Sequence, residues 1–234
     1  MLKIERHNLI MELLKKKNFL KLSDLLKIMK ISEATIRRDL TELEINKKLI
    51  RVHGGAKLIS KKNFESDMSE KKKLHINEKN KIAKKGAEFL EDNQKIFLDA
   101  GTTTGALIPH ILEKNNIEVV TNGYSHIEML IKNGIKTFLI AGEVKKTTQA
   151  LVGPLALLSL KNFNFDIAFL GANAITEEGY MTPDPDEAIV KEAILKKAER
   201  TYILADTSKF LADKSIIFAE RNEAKLITEK GEEK

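Results

Sequence analysis

From residue 95 onward, short runs of β-branched and aromatic residues alternate with stretches of helical periodicity, and no other feature restricts the fold so far. The runs KIFLD (95–99), IEVVTN (117–122), KTFLIA (136–141), FDIAFLG (165–171), TYILAD (201–206) and SIIFAE (215–220) are expected as strands. Helices are expected between them, near 104–114, 124–133, 153–161 and 186–199. Such alternation argues for an α/β domain with a mainly parallel sheet. In domains of this kind ligands sit outside the carboxyl ends of the strands, so those ends are where a site is sought.

The first 73 residues read differently. They hold 19 Lys and Arg against 10 Asp and Glu, a balance of +9, whereas residues 74–234 hold 21 against 24, a balance of −3. A basic module with an anionic partner, joined to a body of another purpose, is the expected organisation. Between the two, residues 57–81 are polar, charged and almost without apolar periodicity, which marks a linker turning helical towards IAKKGAEFLEDN. The chain has no cysteine, which excludes a disulfide framework, a thiolate metal site and a Cys nucleophile. It has no tryptophan and three tyrosines, so stacking on unpaired bases is poorly supplied. No apolar stretch is long enough for a membrane span, and Lys3, Glu5 and Arg6 interrupt any secretory segment, so a cytoplasmic location is expected.

Within the basic module, Ile4, Leu9, Ile10, Leu13 and Leu14 recur at helical spacing, and a second short helix covers about Leu22–Met29. Ser32 is placed to cap a third helix, Glu33 to Asn46, whose core stripe is Ile36, Leu40 and Leu43. Its opposite face carries Ala34, Arg38 and Thr41, with Thr35 and Arg37 on the shoulders. Small residues at a helix start permit close approach to a groove, and adjacent arginines serve phosphate or guanine contacts. A short helix, a tight turn and a longer helix with this chemistry form a helix-turn-helix pattern. The strand LIRVHGGA that follows turns at Gly54-Gly55 like a wing, the glycines permitting positive φ and close approach to a phosphate.

In the second part, Asp99-Ala-Gly101-Thr102-Thr103-Thr104-Gly105 lies between a strand and a helix. Amides at a helix start, a close-approach glycine and three hydroxyls form a cradle for an oxyanion, without the Gly-Lys-Ser/Thr end of a Walker loop. Asp99 repels a phosphate beside it and is expected to accept hydrogen bonds from a hydroxylated ligand or from the loop; phosphate and hydroxyls together point to a sugar phosphate. Thr121-Asn122-Gly123, Gly142-Glu143 and Gly171-Ala172-Asn173 are further strand ends, each weak alone. Glu187 and Lys191, at i and i+4 of a helix, read locally as a solvated ion pair, and Lys209 as a surface lysine able to reach back over a pocket.

The run SEATIRRDLTELE…LIRVHGGA closely resembles the DNA-binding signature of the DeoR family of bacterial transcriptional regulators. That resemblance implies a winged helix-turn-helix in which Ser32, Thr35, Arg37 and Arg38 engage the major groove and its phosphates, with Arg51, His53 and Gly54 at the wing. Lys47 departs from the Gly or Asn with which the family ends this helix, so Asn46 is expected in the left-handed position. FLDAGTTT, VVTN, ALVG, FDIAFLGAN, EAIVKEAIL and ADTSKF resemble successive blocks of the DeoR effector domain, which shares the ribose-5-phosphate isomerase/CoA-transferase fold. Carried over by motif, its pocket involves Asp99, Gly101, Thr102, Thr103, Thr104, Thr121, Asn122, Asn173, Glu187, Lys191 and Lys209. The stretch GANAI…TPDPDEA is most similar to regulators of fructose and related phosphotransferase operons, which implies fructose 1-phosphate or another ketose phosphate as effector. Ala141, Ala174 and Leu211 stand where the family has glycine.

The expected protein is therefore α/β: a winged helix-turn-helix domain over 1–57, a linker over 58–74, and an effector domain over 75–234. Its expected function is repression of a sugar-utilisation operon, relieved by a sugar phosphate, in a homodimer or homotetramer bound to operator DNA. Neither a metal nor a cofactor is expected. The competing reading is a sugar-phosphate isomerase or deaminase with a DNA-binding appendage, since Asp99, Glu187 and Lys209 could serve as base and polarising group. The complete winged module weighs against it, because an isomerase has no use for one.

Overall fold

The structure, a computed structural model, describes residues 3–17, 19–46, 48–52, 55–58, 68–211 and 216–233. The chain divides into two compact units, Met1–Phe64 and Glu65–Lys234.

In the first unit α1 (Lys3–Lys17), α2 (Leu22–Met29) and α3 (Glu33–Ile45) pack with a small antiparallel sheet. Its strands are β1 (Phe19–Lys21), β2 (Leu49–Val52) and β3 (Gly55–Leu58), in the order β1-β3-β2. Ile10, Leu14, Leu25, Ile36, Leu40, Leu43 and Leu49 form the core, so the stripe read on the third helix is buried as spaced. Lys30 ends α2 in the left-handed region (φ 50°), and Ser32 starts α3 by accepting the Thr35 N–H at 3.3 Å.

Two local expectations fail here. Asn46 is not left-handed: its φ is −79°, and its side chain instead donates to the Glu42 carbonyl at 2.8 Å. Gly55 does not serve positive φ. It pairs with Lys21 of β1, and a β-carbon there would lie 2.1 Å from the Leu20 carbonyl oxygen, so the close approach of β1 requires glycine. Strand β1 has three residues, too few for alternation to show in the sequence.

The second unit is built on a seven-stranded sheet of order β15-β14-β12-β9-β4-β5-β6. The strands are β4 (Lys95–Leu98), β5 (Glu118–Thr121), β6 (Lys136–Leu139), β9 (Phe165–Gly171), β12 (Ala198–Leu204), β14 (Lys225–Thr228) and β15 (Gly231–Glu233). All neighbours are parallel except β15, which closes one edge antiparallel to β14. Successive residues of β9 alternate between two cores: Ala168 and Leu170 join Phe97, Val120 and Ile203 on one face, Ile167 and Phe169 join Ile96, Leu98 and Leu204 on the other. Helices α4 (Met68–Lys73), α5 (Ile76–Ala87), α6 (Thr102–Gly105), α7 (Ile108–Ile111), α8 (Tyr124–Lys132), α9 (Pro154–Leu160) and α10 (Pro185–Leu195) complete the unit, with a hairpin of β7 (Glu143–Val144) and β8 (Leu151–Val152).

The helix expected over 104–114 breaks into α6 and α7, because Pro109 has no N–H to continue the ladder. That expected over 186–199 stops at Leu195, and β12 already begins at Ala198. SIIFAE is a strand, β13 (Ile216–Glu220), but it lies outside the parallel sheet, in a small antiparallel sheet with β10 (Ala174–Ile175) and β11 (Gly179–Thr182). Of the stretch expected as linker, residues 59–67 lie outside the described residues and 68–73 form α4. No helix of the described residues is long and apolar enough to cross a membrane.

The chain runs from β4 outward to β5 and β6, then returns to build β9, β12 and β14 on the other side. The strand order therefore reverses between β4 and β9. A crevice opens at the carboxyl ends of strands at such a point, and here it contains the site.

Candidate functional site

On the first unit, Ala34, Arg37 and Arg38 of α3 are exposed, and Thr35 and Thr41 half-buried. Arg37 is held along the helix by Glu33, Nε to Oε1 2.7 Å, whereas Arg38 makes no ion pair among the described residues. Arg51 of β2 donates from its guanidinium to Thr41 Oγ1 at 2.7 Å, and its N–H reaches Glu44 at 2.9 Å, so the strand after α3 is tied to that helix. His53 and Gly54 lie outside the described residues. Beneath this face Asp39 is buried and accepts a forked pair from Arg6 of α1, at 2.6 and 3.0 Å. Burial works against its ionised form, but the Arg6 and His7 contacts outweigh it and hold the carboxyl below the usual aspartate range. The acid within Arg-Arg-Asp-Leu thus locks α1 to α3 and is turned away from the exposed face of the helix.

In the second unit a cavity of about 170 Å³ opens at the switch point. That is roughly ten times the space a single water needs. Its floor is Asp99, at the end of β4 and 2% exposed. One carboxylate oxygen accepts the Asn122 amide (3.2 Å); the other accepts the Gly171 N–H (2.9 Å) and the ammonium of Lys191. Lys191 also donates to the Gly171 carbonyl at 2.9 Å. The solvated pair read between Glu187 and Lys191 does not exist: both are buried, and they bind different partners. Glu187 accepts Thr148 (2.7 Å), Thr182 (3.2 Å) and Lys145 (3.1 Å). Both side chains point inward because Asp184 caps α10, accepting the Glu187 N–H at 3.0 Å, and Pro185 presets its first turn.

Above the floor, Gly101 (φ 152°) turns the chain into α6, where the amides of Thr102, Thr103 and Thr104 have no intrahelical acceptor. The three hydroxyls are not equivalent. Thr104 is fully buried and donates to the carbonyls of Asp99 (2.7 Å) and Gly101 (3.1 Å), closing the loop on itself. Thr102 and Thr103 are half-exposed on the cavity wall, their hydroxyls without a hydrogen bond to another described residue. Thr121 and Asn122, both expected in the pocket, stand behind it: Thr121 bonds the Leu98 carbonyl and the Gly123 N–H, and Asn122 accepts the Ala100 N–H at 2.7 Å. They position Asp99 and the loop.

His126 of α8 was not anticipated. Burial pushes its pKa below the usual histidine value, so the neutral ring donates from Nε2 to the Gly101 carbonyl at 3.2 Å. Asn173 and Lys209 line the cavity, as does Asp206 at the end of the 201–206 run, together with Met68, Lys71, His75, Lys79 and Thr148, which lie at no strand end of the parallel sheet. Asp206 is buried; the Ser208 hydrogen bonds and nearby Lys209 overcome that burial and hold it ionised. Neither Ala141 nor Ala174 lines the cavity, and the Leu211 side chain lies outside the described residues. Asp99 and Glu187, the acids a hydrolytic or isomerising reading needs, are both spent on protein donors. Among the described residues no group of three or more His, Asp or Glu is placed to hold a metal.

The profile of the DeoR C terminal sensor domain matches residues 74–230, and that of the DeoR-like helix-turn-helix domain residues 6–62. The uncharacterized HTH-type transcriptional regulator FruR of Bacillus subtilis (strain 168) is 44% identical over 234 residues, 100% of this chain and 93% of that protein. The lactose phosphotransferase system repressor of Streptococcus mutans is 34% identical over 89% of this chain and 84% of its own. The glycerol-3-phosphate regulon repressor of Escherichia coli (strain K12) is 31% identical over 88% and 82%. Among solved structures, the translation initiation factor eIF-2B of Pyrococcus horikoshii OT3 superposes with a TM-score of 0.51 at 16% identity over 99% of this chain and 84% of that one, a likeness of fold alone. Ribose 5-phosphate isomerase A of Methanocaldococcus jannaschii gives 0.42 at 18% identity over 57% and 53%.

Proposed function

We propose a function from one premise: the chain belongs to the DeoR family, and is a DNA-binding transcriptional regulator and not an enzyme. It represses a sugar-utilisation operon and is released from its operator by a phosphorylated sugar bound in the cavity of the second unit. Residues 1–57 bind DNA, 58–74 connect, and 75–234 sense. Arg38 contacts the operator with Ser32, Thr35 and Arg37 around it and Arg51, His53 and Gly54 at the wing. The protein works in the cytoplasm as a homodimer or homotetramer, since paired half-sites supply the specificity one helix-turn-helix lacks.

The observation that supports the effector is the division of labour on the cavity wall. Thr102, Thr103 and Lys209 present hydroxyls, amides and a cation, while Asp99 is neutralised by Lys191. An anion with hydroxyls attached fits such a wall, and relatives named for phosphotransferase and glycerol-3-phosphate regulons agree with it. Fructose 1-phosphate is the first candidate. The ligand must prefer one state of the protein, because equal affinity for both shifts nothing.

A thermal-shift panel of sugar phosphates, each beside its parent sugar, tests this. A ligand at 100 times its Kd adds about 2.7 kcal/mol, on the order of 5–11 °C for a chain of this length. A shift with one ketose phosphate and none with its sugar is expected; a uniform absence of shifts would reject the effector reading and leave the DNA-binding assignment standing.

A further inference from the structure

Lys79 of α5 lies on the cavity wall and is only 7% exposed, yet no carboxylate stands within 4 Å of its ammonium among the described residues. Its Nζ donates to two main-chain carbonyls, Leu74 at 2.6 Å and Lys71. Both lie where α4 ends and the chain turns through His75, itself left-handed at φ 53°. An ammonium has three N–H donors, so one remains for another acceptor. Burial lowers the pKa of Lys79, partly offset by the charge of Asp206 and reinforced by Lys209 and Lys71. A buried cation satisfied only by carbonyls is unusual, because desolvation is normally offset by an opposite charge.

The element it holds is weak. Helix α4 has six residues, against the roughly 12–15 an isolated helix needs to persist. It is pinned at its start by the buried Met68 side chain and by the Met68 N–H to the Thr147 carbonyl at 3.1 Å, and at its end by Lys79. It is also the first described element after residues 59–67, through which the chain reaches the DNA-binding unit.

We propose that Lys79 takes the anionic group of the effector, and that in doing so it releases the carbonyls at the end of α4, so that filling the cavity loosens the helix joined to the DNA-binding unit. This rests on the sugar-phosphate reading above and deepens it. A phosphate oxygen is a charge-assisted acceptor and competes with carbonyls for the ammonium, whereas a neutral sugar does not. The same residue therefore distinguishes a phosphorylated sugar from its parent and passes that distinction to the segment leading out of the unit.

The full chain, as wild type, Lys79→Met and Lys79→Arg, is digested with trypsin, and cleavage at Lys71, Lys72 and Lys73 is timed by mass spectrometry. The probes are fructose 1-phosphate, fructose and inorganic phosphate, with binding of each measured by calorimetry and folding by circular dichroism. In wild type, fructose 1-phosphate is expected to speed cleavage at least fivefold and fructose not at all. Folded Lys79→Met is expected to be cut at the fast rate without any probe and to bind fructose 1-phosphate at least tenfold more weakly, with Lys79→Arg intermediate. Equal binding by wild type and Lys79→Met would leave the sugar-phosphate reading intact and overturn the role of Lys79. Binding to wild type without a change in cleavage would overturn the release of α4. Should no probe bind wild type, the effector reading itself fails, and the ligand-free cleavage rates still judge whether Lys79 grips the helix.

Discussion

Lys191 and Asp99, 92 residues apart in the chain, form a buried ion pair that is the floor of the cavity and clamps α10 to the end of β4. Removing one partner strands the other charge at a buried position, which costs about 3–5 kcal/mol. Lys191→Met is expected to lower the midpoint of urea unfolding accordingly. Asp99→Asn combined with Lys191→Met should recover much of the loss, since the amide still accepts the Gly171 N–H. Equal destabilisation by the single and double variants would show that packing of the lysine stem, not its charge, does the holding.

The threonines of the loop separate structure from recognition. Thr103 is half-exposed with no partner of its own among the described residues, so Thr103→Val should change stability by no more than about 0.5 kcal/mol. It should weaken binding of the effector on the order of tenfold, the worth of one hydrogen bond to a charged group. Thr104→Val takes the hydroxyl donor from the buried Asp99 carbonyl, while the Gly101 carbonyl keeps the Gly105 N–H and His126, and should cost about 1–3 kcal/mol. Melting curves and titration calorimetry on the two variants check the contrast; a Thr104→Val chain as stable as wild type would contradict it.

These residues also show how far the sequence could be read. Strand–helix alternation reports on residues facing two cores, so β4, β5, β9 and β12 were visible as runs, as was the apolar but largely exposed β6, and the Asp99–Thr104 loop was visible because it follows such a run. Hydrogen bonding within the loop is not periodic, so nothing distinguished Thr104, turned in on the Asp99 carbonyl, from Thr103. Lys79 and Thr148 line the cavity from distant parts of the chain and His126 braces its loop from α8, and only the packing of those parts brings them together. Glu187 and Lys191 looked like a surface pair because i, i+4 spacing places two side chains on one face of a helix without saying whether that face meets water. Short strands such as β1 and β10 leave no pattern at all.

On the recognition helix, Arg38 is exposed without an ion-pair partner among the described residues and Arg37 is held by Glu33. Arg38→Ala is expected to weaken operator binding by about 1–3 kcal/mol if it reads a base, or to lower the salt slope by about one if it neutralises a phosphate. Glu33→Gln should act in the opposite direction, freeing Arg37 and removing a negative charge that faces the DNA. The gain should be a few-fold at low salt and fade as salt screens it. Fluorescence anisotropy with labelled promoter DNA across a salt series measures both. Tighter binding by Arg38→Ala, or weaker binding by Glu33→Gln, would mean that this face of α3 is not the one presented to DNA.

The Arg6–Asp39 fork gives the DNA-binding unit a defined response to acid. The folded carboxyl titrates below its ordinary range, although burial alone would raise it, because Arg6 and His7 stabilise its charge. A carboxyl with a depressed folded pKa contributes stability that is complete above its unfolded value, about 3.9, and is lost as pH falls from there through the folded value. The unit should therefore be most secure near neutrality and lose stability steeply only below about pH 4. Asp39→Asn should be less stable at pH 7 but show a flatter acid limb, and Arg6→Met should be the worst of the three at neutral pH because it leaves the carboxylate buried with only His7 beside it. Methyl resonances of Ile10 and Ile36, followed through urea titrations from pH 7 to pH 3, read this unit separately from the second. Parallel acid limbs in wild type and Asp39→Asn would remove Asp39 as the cause.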